Sequence, residues 1–428
     1  MRHMIVLLLA VVVLASCGQP GGPSVSKNVQ VLAAEAPRAT PEAPVAALPA
    51  LIAGMNRFAT DLYSTADDGN LIFSPYSIAL AFSMAYAGAE GETAEQMRSV
   101  LGFLPPDEHH MAFNALDQRL QSLGTQAEQQ REPFQLNIAN STWGQRGYPF
   151  DEAYLQTLAR FYGAALHTFD FKTEAEAARA TINAWADHQT KGKIKEVVPA
   201  GMLDEDTRLV LANAIYFKAQ WVDQFDEAAT QDGPFTLLDG RSVTVPLMHG
   251  MMDGRAFSGD GYVAGYLPYA GGSVDMLVIV PESGRFAEVE GRLRDGLLSE
   301  IATGAQAARL RVIMPRFEFD SELQLKEMLC TLGLELPFSD YADFSGMIQP
   351  RAAILKIDEA LHKATITVDE EGTEAAAVTV IELVPTGELT QPVELRADKP
   401  FLFAIVERET GALLFLGRVV DPSMELAG

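Results

Sequence analysis

Few side chains in this sequence have the types and spacing that catalysis or metal binding requires. His109 and His110 are adjacent, so on a helix they point in different directions and make a poor metal pair. Ser24 and Lys27 match a Ser-x-x-Lys motif, but they lie in a Pro- and Gly-rich segment where no helix or strand would hold them. Gly259-Asp260-Gly261 lacks the third glycine of a dinucleotide site and is typical of a turn. We therefore expect no enzyme, no metal site and no cofactor.

A different kind of pattern occupies the segment EEGTEAAAVTV, which runs from Glu370 to Val380. The sequence before it, ALHKATITVDE, alternates as a strand does, whereas the sequence after it is rich in Pro, Thr and Gly. The segment itself ends in β-branched residues, which favour strands. Its neighbours therefore indicate a loop, while its own composition would suit a strand.

The elements that must position these residues follow from hydrophobic periodicity. Predicted helices cover residues 48–63, 77–87, 93–101, 109–123, 152–162, 174–189 and 286–302. Predicted strands cover residues 209–217, 242–248, 262–269, 273–280, 309–317, 364–368, 393–396, 401–407 and 412–419. Helices come first and strands dominate later, which predicts an α+β fold. Nothing divides residues 48–425, so we predict one domain there.

Composition excludes some partners. The chain has 428 residues, of which 48% are hydrophobic and 21% charged, as in ordinary globular proteins. Its net charge of −25 leaves no excess of Lys or Arg to neutralise phosphates, so we expect no nucleic-acid partner. The acidic excess has two explanations, solubility or attraction to a basic partner.

The N-terminus predicts export and attachment to a membrane. Residues 1–16 combine a basic start, an apolar run too short to span a bilayer and small residues at the end, as signal peptides do. Leu14-Ala15-Ser16-Cys17 resembles the bacterial lipoprotein box, in which the cysteine is acylated and anchors the protein. Ordinary cleavage, with Cys17 a bystander, is the alternative. Gly18 in place of an Asp favours the outer membrane, facing either the periplasm or the exterior.

The segment after the signal peptide is predicted to be a tether. Residues 17–47 are rich in Pro, Ala and Gly and would hold the folded domain away from the lipid surface. Cys330 is the only other cysteine, so the exported chain would have no disulfide framework. We expect Cys330 to be buried like a small apolar residue.

Eight segments stand out by their sequence and their order along the chain. They are NLIFSPYSIALAFSMAYAGAEGET from Asn70, FQLNIANSTW from Phe134, INAWADHQTKGKI from Ile182, LVLANAIYFKAQWVDQF from Leu209, VIMPRFEFD from Val312, LGLELPFSDYADFSGM from Leu332, ALHKATITVDEEGTEAAA from Ala360 and DKPFLFAIVERETGALLFLGRVVDP from Asp398. Together they resemble the serpin family over residues 48–422. The resemblance implies the serpin fold, an α+β domain with helices around a large, mostly antiparallel central sheet, smaller sheets and an exposed reactive-centre loop at about residues 370–394.

The resemblance implies that EEGTEAAA is the hinge of this loop. In the family a protease cleaves the loop, which then inserts into the central sheet while still acyl-linked to the enzyme. The side chains that would turn inward are small and uncharged, so they can enter the sheet without burying a charge. The inward set is Thr373, Ala375, Ala377 and Thr379, and the outward set includes Glu374, Ala376 and Val378. Glu370 begins the hinge, and Gly372 would supply backbone freedom where the chain swings.

Serpins also hold a buried polar cluster where the sheet must part. The matching positions here are Ser74, Ser77, Asn213 and His362. Hydroxyl, amide and imidazole groups can exchange partners, so such a cluster can open and re-form. Trp221 matches the family's tryptophan at the end of the sheet where insertion begins.

Family spacing from the hinge places the scissile bond between Thr386 and Gly387. The residues ahead of it are Leu383, Val384 and Pro385. A small residue at the cut, with no Lys or Arg between residues 370 and 395, suits elastase-like or subtilisin-like serine proteases rather than trypsin-like ones. The segment after the bond is longer than in common members, so cleavage after Glu388 or at Leu389 is the alternative.

Two functional hypotheses follow from the resemblance. The first is a suicide inhibitor, a monomer that forms a covalent complex with its target serine protease; the small hinge residues favour it. The alternative is a non-inhibitory serpin that acts as a binding or structural surface lipoprotein. Residues 107–124 carry one Arg against two Asp and one Glu, so we expect no heparin-like cofactor.

Overall fold

The computed structural model describes residues 29–41, 45–130, 134–349, 355–373 and 391–423, with the backbone alone described for residues 124–130 and 134–139. Within these ranges, helices pack around two large sheets. No helix of the described chain has both the length and the apolar composition needed to cross a bilayer.

The secondary structure is numbered along the chain. The helices are α1 Leu48–Tyr63, α2 Pro75–Tyr86, α3 Gly91–Leu101, α4 Pro106–Gln130, α5 Glu152–Thr157, α6 Phe171–Gln189, α7 Phe286–Gly291, α8 Leu297–Gly304 and α9 Leu325–Thr331, with a π turn at Leu158–Tyr162. The strands are β1 Gln30–Leu32, β2 Leu71–Phe73, β3 Phe134–Gln145, β4 Leu166–Phe169, β5 Leu209–Gln220, β6 Gln231–Thr236, β7 Ser242–Gly259, β8 Tyr262–Pro268, β9 Val274–Pro281, β10 Gln306–Pro315, β11 Phe317–Gln324, β12 Glu359–Val368, β13 Gly372–Thr373, β14 Val393–Arg396, β15 Phe401–Glu407 and β16 Leu413–Val419.

Two sheets organise the domain. The central sheet has seven strands in the order β1-β4-β3-β5-β13-β12-β11, and β5 also pairs directly with β12. The second sheet has the order β14-β10-β7-β8-β9-β15-β16-β2, with β6 on β7. Most pairings are antiparallel; β3–β4, β5–β12 and β10–β14 are parallel. The α+β class and the mostly antiparallel central sheet that we predicted are confirmed.

The strand β5 lies at the centre of the molecule and is buried on both faces. Leu211 and Ile215 contact the main hydrophobic core. Ala212 and Ala214 face the opposite side, where α6 covers a smaller apolar cluster. A strand covered on both faces has apolar residues at consecutive positions rather than alternating ones, which explains the sequence LVLANAIYF.

The helix α2 lies beneath the central sheet. All twelve of its residues are buried, and it contacts β3, β5 and β16. Its start is fixed by Ser74, whose side chain accepts a hydrogen bond of 3.1 Å from the Ser77 amide, and by Pro75 in the first turn. The same cap places both serines below the junction of β5 and β12.

The structure corrects one predicted helix and adds several strands that were not predicted, of which β3 is the longest. Residues 286–302 do not form one helix: α7 ends at Gly291 and α8 begins at Leu297. Gly296 between them has a φ of +89°, which a continuing right-handed helix does not allow. The strand β3 had no predicted counterpart, because its first half, FQLNIAN, mixes amides with apolar residues.

The segment before the domain also differs from the prediction. Within the predicted tether of residues 17–47, residues 30–32 form β1 and pair antiparallel with β4 at the edge of the central sheet. Exposed edge strands have unpaired N–H and C=O groups that can accept another strand, and periodicity gives no signal for so short a pairing. The packed part of the chain therefore begins before residue 48. The predicted signal peptide and Cys17 lie outside the described residues.

Candidate functional site

The strands β5 and β12 are those that a new central strand would have to separate. They pair directly in parallel over residues 210–216 of β5 and 359–365 of β12. Beyond this stretch β13 lies between them, with Thr373 opposite Ala219 on one side and Val368 on the other, antiparallel to both. The sheet is thus closed along most of the junction, and two residues of the predicted hinge part it at one end.

Gly372 lies where the chain enters the sheet. A Cβ atom at this position would be 2.1 Å from the carbonyl oxygen of Ala219 and 2.6 Å from the Cα of Gln220. The turn before it is closed by Asp369, whose carboxylate accepts hydrogen bonds from the amides of Glu371 at 3.0 Å and Gly372 at 3.1 Å. Glycine is therefore required here for space, in addition to the backbone freedom expected from the sequence.

Thr373 is docked in an aromatic pocket. It is 1% exposed, and its hydroxyl is 2.7 Å from the hydroxyl of Tyr269. The Tyr269 ring stacks on Trp221 with centroids 4.5 Å apart, and the Trp221 indole N–H donates to the carbonyl of Asp369 at 3.0 Å. Burial raises the pKa of Tyr269, so its hydroxyl stays protonated as a hydrogen-bond partner. The first inward residue of the hinge is therefore already seated in the sheet.

Glu370 fastens the hinge from the other side of the turn. Its carboxylate accepts hydrogen bonds from the Arg316 guanidinium, at 2.6 Å for the closer oxygen, and from the Thr230 hydroxyl. Its carbonyl accepts from the Phe225 amide at 2.9 Å. Burial alone would raise the pKa of Glu370, but the bonds from Arg316 and Thr230 outweigh it and hold the pKa below its usual range. Glu370, Thr373, Trp221, Tyr269 and Arg316 together form what we call the hinge cluster.

The predicted buried polar residues meet at the junction of β5 and β12. His362 on β12 and Asn213 on β5 lie directly opposite each other, and the His362 Nδ1 bonds the Asn213 side-chain oxygen. The Ser74 amide donates to the His362 Nε2 at 3.0 Å. Because Nε2 accepts, Nδ1 carries the proton of a neutral imidazole. The Asn213 amide donates to the Ser77 hydroxyl and to the side-chain oxygen of Asn140 on β3.

These five residues, Ser74, Ser77, Asn140, Asn213 and His362, form a connected set that we call the polar junction. His362 and Asn213 are buried, and burial lowers the pKa of His362 to about 3. A neutral, fully bonded network stabilises one arrangement of the strands and contains no charge that would resist exchange of partners. The polar junction can therefore hold the sheet closed and yet be opened.

His109 and His110 take no part in this site. His109 is 2.8 Å from the Ser83 hydroxyl, and His110 is 2.6 Å from the Tyr162 hydroxyl, so each contacts a different partner inside the α4 interface. Burial lowers the pKa of His110 to about 4 and that of His109 well below its usual value. Both are neutral core residues at pH 7.

Part of the predicted site lies outside the described residues, and other residues of the site were not predicted. Ala375, Ala376, Ala377, Leu383, Val384, Pro385, Thr386 and Gly387 lie outside the described residues, so their roles stay predictions. Arg316, Thr230, Tyr269 and Asn140 were missed by sequence reasoning, although Asn140 and Arg316 lie inside segments that carried the family resemblance. A signal was available for Asn140 alone, as an amide within the strand-like segment FQLNIANSTW.

The first testable prediction concerns the pH dependence of stability. The pKa of His362 is about 3 in the folded protein, against about 6.5 in an unfolded chain. The unfolded state then binds more protons below pH 6.5, so stability is complete above that pH and falls as the pH drops, by about 1.4 kcal/mol per pH unit for each such histidine. Thermal unfolding between pH 7 and 5 should show this fall, and His362→Gln should make it shallower. His188→Gln, at an exposed position, should leave the slope unchanged; an equal slope for His362→Gln would contradict the account.

A second prediction concerns Glu370. Glu370→Gln keeps the size of the side chain but removes the charge that Arg316 and Thr230 bond, which should destabilise the hinge end by about 1–2 kcal/mol. Hydrogen exchange at the Gly372 and Thr373 amides should become faster. Glu288→Gln, which removes one partner of an exposed ion pair with Arg285, is the matched control and should change little. Unchanged exchange in Glu370→Gln would show that the pair does not hold the hinge.

Comparison with known proteins agrees with this geometry. The family model for serpins (serine protease inhibitors) matches residues 53–422. A serpin-like protein of Thermococcus kodakarensis is 37% identical, over 87% of this chain and 86% of that protein. The leukocyte elastase inhibitor of Bos taurus is 36% identical, over 87% of this chain and 99% of that protein.

Solved structures show the same fold. Arabidopsis AtSerpin1 in its native stressed conformation has a TM-score of 0.76 and 31% identity, covering 88% of this chain and 99% of its own. Tengpin, a thermophilic serpin in the native state, has a TM-score of 0.77 and 25% identity, covering 90% of this chain and 97% of its own. With most of its length matched by the family model and by relatives above 30% identity, the chain belongs to the serpin family.

Proposed function

We propose that this protein is a suicide inhibitor of serine proteases. The observation that carries the proposal is the position of Thr373, which is small, buried and already paired between β5 and β12. Because the first inward residue of the loop already lies between the two strands, insertion can continue from that residue. The protein performs no catalysis in this account; the protease supplies the nucleophile.

The chemistry begins at the bond between Thr386 and Gly387. The protease's serine hydroxyl attacks the Thr386 carbonyl, the peptide bond breaks, and the Gly387 amine leaves with the proton transferred to it. The new loop end stays attached to the protease as an ester. Residues 374–386 then continue the strand that β13 begins, which carries the protease roughly 40–50 Å at about 3.3 Å per residue.

Insertion changes the hydrogen bonding of the whole junction. At present β5 and β12 share one parallel ladder over residues 359–365. A strand that continues β13 would run antiparallel to both, so one parallel ladder would be replaced by two antiparallel ones. Each added bond contributes about 0.5–1.5 kcal/mol, so the inserted form is the more stable one. The polar junction must open once for this to occur.

The proposed targets are elastase-like or subtilisin-like serine proteases. Thr386 is small, and a relative with 36% identity over most of both chains is named as a leukocyte elastase inhibitor. Cleavage at Glu388 or Leu389 remains the alternative register. The mass of the fragment released from the protease complex identifies the bond that is cut.

We further propose that the protein is exported and lipid-anchored through Cys17, as a monomer at the outer membrane. Eleven residues, 18–28, separate Cys17 from Val29, which packs against the smaller apolar cluster of the domain. At about 3.5 Å per residue, they span at most about 40 Å in any conformation. The domain would therefore stay close to the lipid surface. Mass spectrometry of the N-terminal peptide tests this, because an unmodified Cys17 in protein recovered from the membrane fraction would exclude the anchor.

The inhibitory function predicts an asymmetry between neighbouring loop positions. Thr373→Arg places a charge in the buried pocket beside Tyr269, at a cost of several kcal/mol, whereas Glu374→Arg changes a side chain predicted to face solvent. Each variant is incubated with an elastase and with a subtilisin and analysed on a denaturing gel. We expect a complex that survives SDS for Glu374→Arg and the parent chain, and at least a tenfold lower yield for Thr373→Arg. Cleavage without complex in the parent chain would instead support a non-inhibitory serpin.

A further inference from the structure

Residues 29–41, which we call the strap, lie across the edge of the central sheet. Gln30–Leu32 pair antiparallel with Leu166–Thr168 on β4, and the Thr168 hydroxyl donates to the Gln30 carbonyl at 3.1 Å. Leu32 and Ala34 pack against the main core. The strap therefore has both backbone and side-chain contacts with the domain.

Farther along, the strap is bonded to the helices. The Ala39 amide donates to the carbonyl of Arg160, in the π turn, at 2.7 Å. The Ala39 carbonyl accepts hydrogen bonds of 2.8 Å from the side chains of Asn114 and Gln118 on α4. Two side chains of one helix thus hold a single strap carbonyl, which fixes the register of the segment.

Arg38 supplies the charge that a buried carboxylate needs. Its guanidinium pairs with Asp117 on α4 and donates to the side chain of Asn114 at 2.9 Å. The Asp117 side chain is 4% exposed, and its other oxygen accepts from the buried Tyr76 hydroxyl at 2.6 Å. Among the described residues, Arg38 is the only Lys or Arg paired with Asp117. Removing Arg38 would leave a buried charge without compensation.

The strap joins two parts of the molecule that must move apart. Insertion of a strand between β5 and β12 widens the sheet by about 4.8 Å and shifts β1, β4 and β3 with β5. The helix α4 contacts β3, but it is also bonded to the second sheet, because Arg119 pairs at 2.8 Å with the buried Glu407 of β15. Hydrogen bonds of 2.7–3.1 Å from the strap to both parts would not survive that displacement.

The arginine site also adjoins the polar junction. A cavity of about 330 Å³ lies between α2, α4 and β3, and its lining includes Asp117, Leu120, Met84 and Asn140. Asn140 accepts the hydrogen bond from Asn213 at the junction. Asp117 at the arginine site and Asn140 of the polar junction therefore line the same cavity.

We propose that the strap is a clamp on the closed sheet, and that the groove it fills is a binding site for an extended peptide segment carrying an arginine. This inference rests on the proposed function, because it assumes that the sheet is poised to widen. With the strap in place, widening must break the Arg38–Asp117 pair and the bonds of Ala39. Without it, the sheet opens more readily, and the uncleaved loop inserts spontaneously.

The test compares the full-length chain with Arg38→Gln, Asp117→Asn and the double variant. Each is incubated at elevated temperature, and the loss of complex formation with a protease is followed over time. We expect Arg38→Gln to convert at least tenfold faster, equivalent to about 1.4 kcal/mol in the barrier. Asp117→Asn removes the buried charge, so the double variant should convert no faster than Asp117→Asn alone. Arg294→Gln, which breaks an exposed pair with Asp61, is the control and should convert as the parent does.

Hydrogen exchange at β4 gives a readout that does not depend on inhibition. We expect faster exchange of the Leu166–Thr168 amides in Arg38→Gln and parent-like exchange in Arg38→Lys. In a variant that lacks residues 29–41, adding a peptide of that sequence should slow the exchange of the same amides again. A parent chain that never forms a protease complex would refute the proposed function and leave the exchange test of the strap intact. Parent-like conversion and parent-like exchange in Arg38→Gln would overturn the clamp.

Discussion

The structure depends on the parallel contact between β5 and β12. Over residues 359–365 this contact is a single ladder, with His362 and Asn213 facing each other near its middle. Parallel pairing is slightly weaker per residue than antiparallel pairing, and the polar junction adds neutral hydrogen bonds that can be exchanged. In the proposed function, this contact keeps the sheet closed but is not the most stable arrangement of these strands.

The remaining features of the site control how this contact opens. At one end, Thr373 and Gly372 already separate the strands, and Glu370, at the start of the hinge, is bonded to Arg316. At the far edge, the strap connects β4 to α4. If the proposed function holds, the stability of the closed form depends on barriers, because interactions that hold the closed sheet slow its conversion without making it the lowest state.

Much of the fold was predictable because it rests on local signals. The Ser74 cap and Pro75 mark the start of α2, and the unbroken apolar run of β5 identifies a strand buried on both faces. Four of the five residues of the polar junction were found through the order of the family segments, and Asn140 was not. The partners Arg316 and Tyr269 could not be found, because their contacts with residues 370–373 arise from packing between distant strands. The Arg38–Asp117 pair joins residues 79 positions apart, and a Pro- and Ala-rich segment has no periodicity to indicate that it packs.

One physical claim underlies the account: the uncleaved protein is trapped above its most stable form, and the loop completes the sheet when it is cut. The most direct measurement is the thermal unfolding midpoint before and after a single proteolytic cut between residues 374 and 390. We expect a large rise in the midpoint, because the cut loop adds a central strand with two antiparallel ladders. A midpoint that stays where it was after complete cleavage would contradict it.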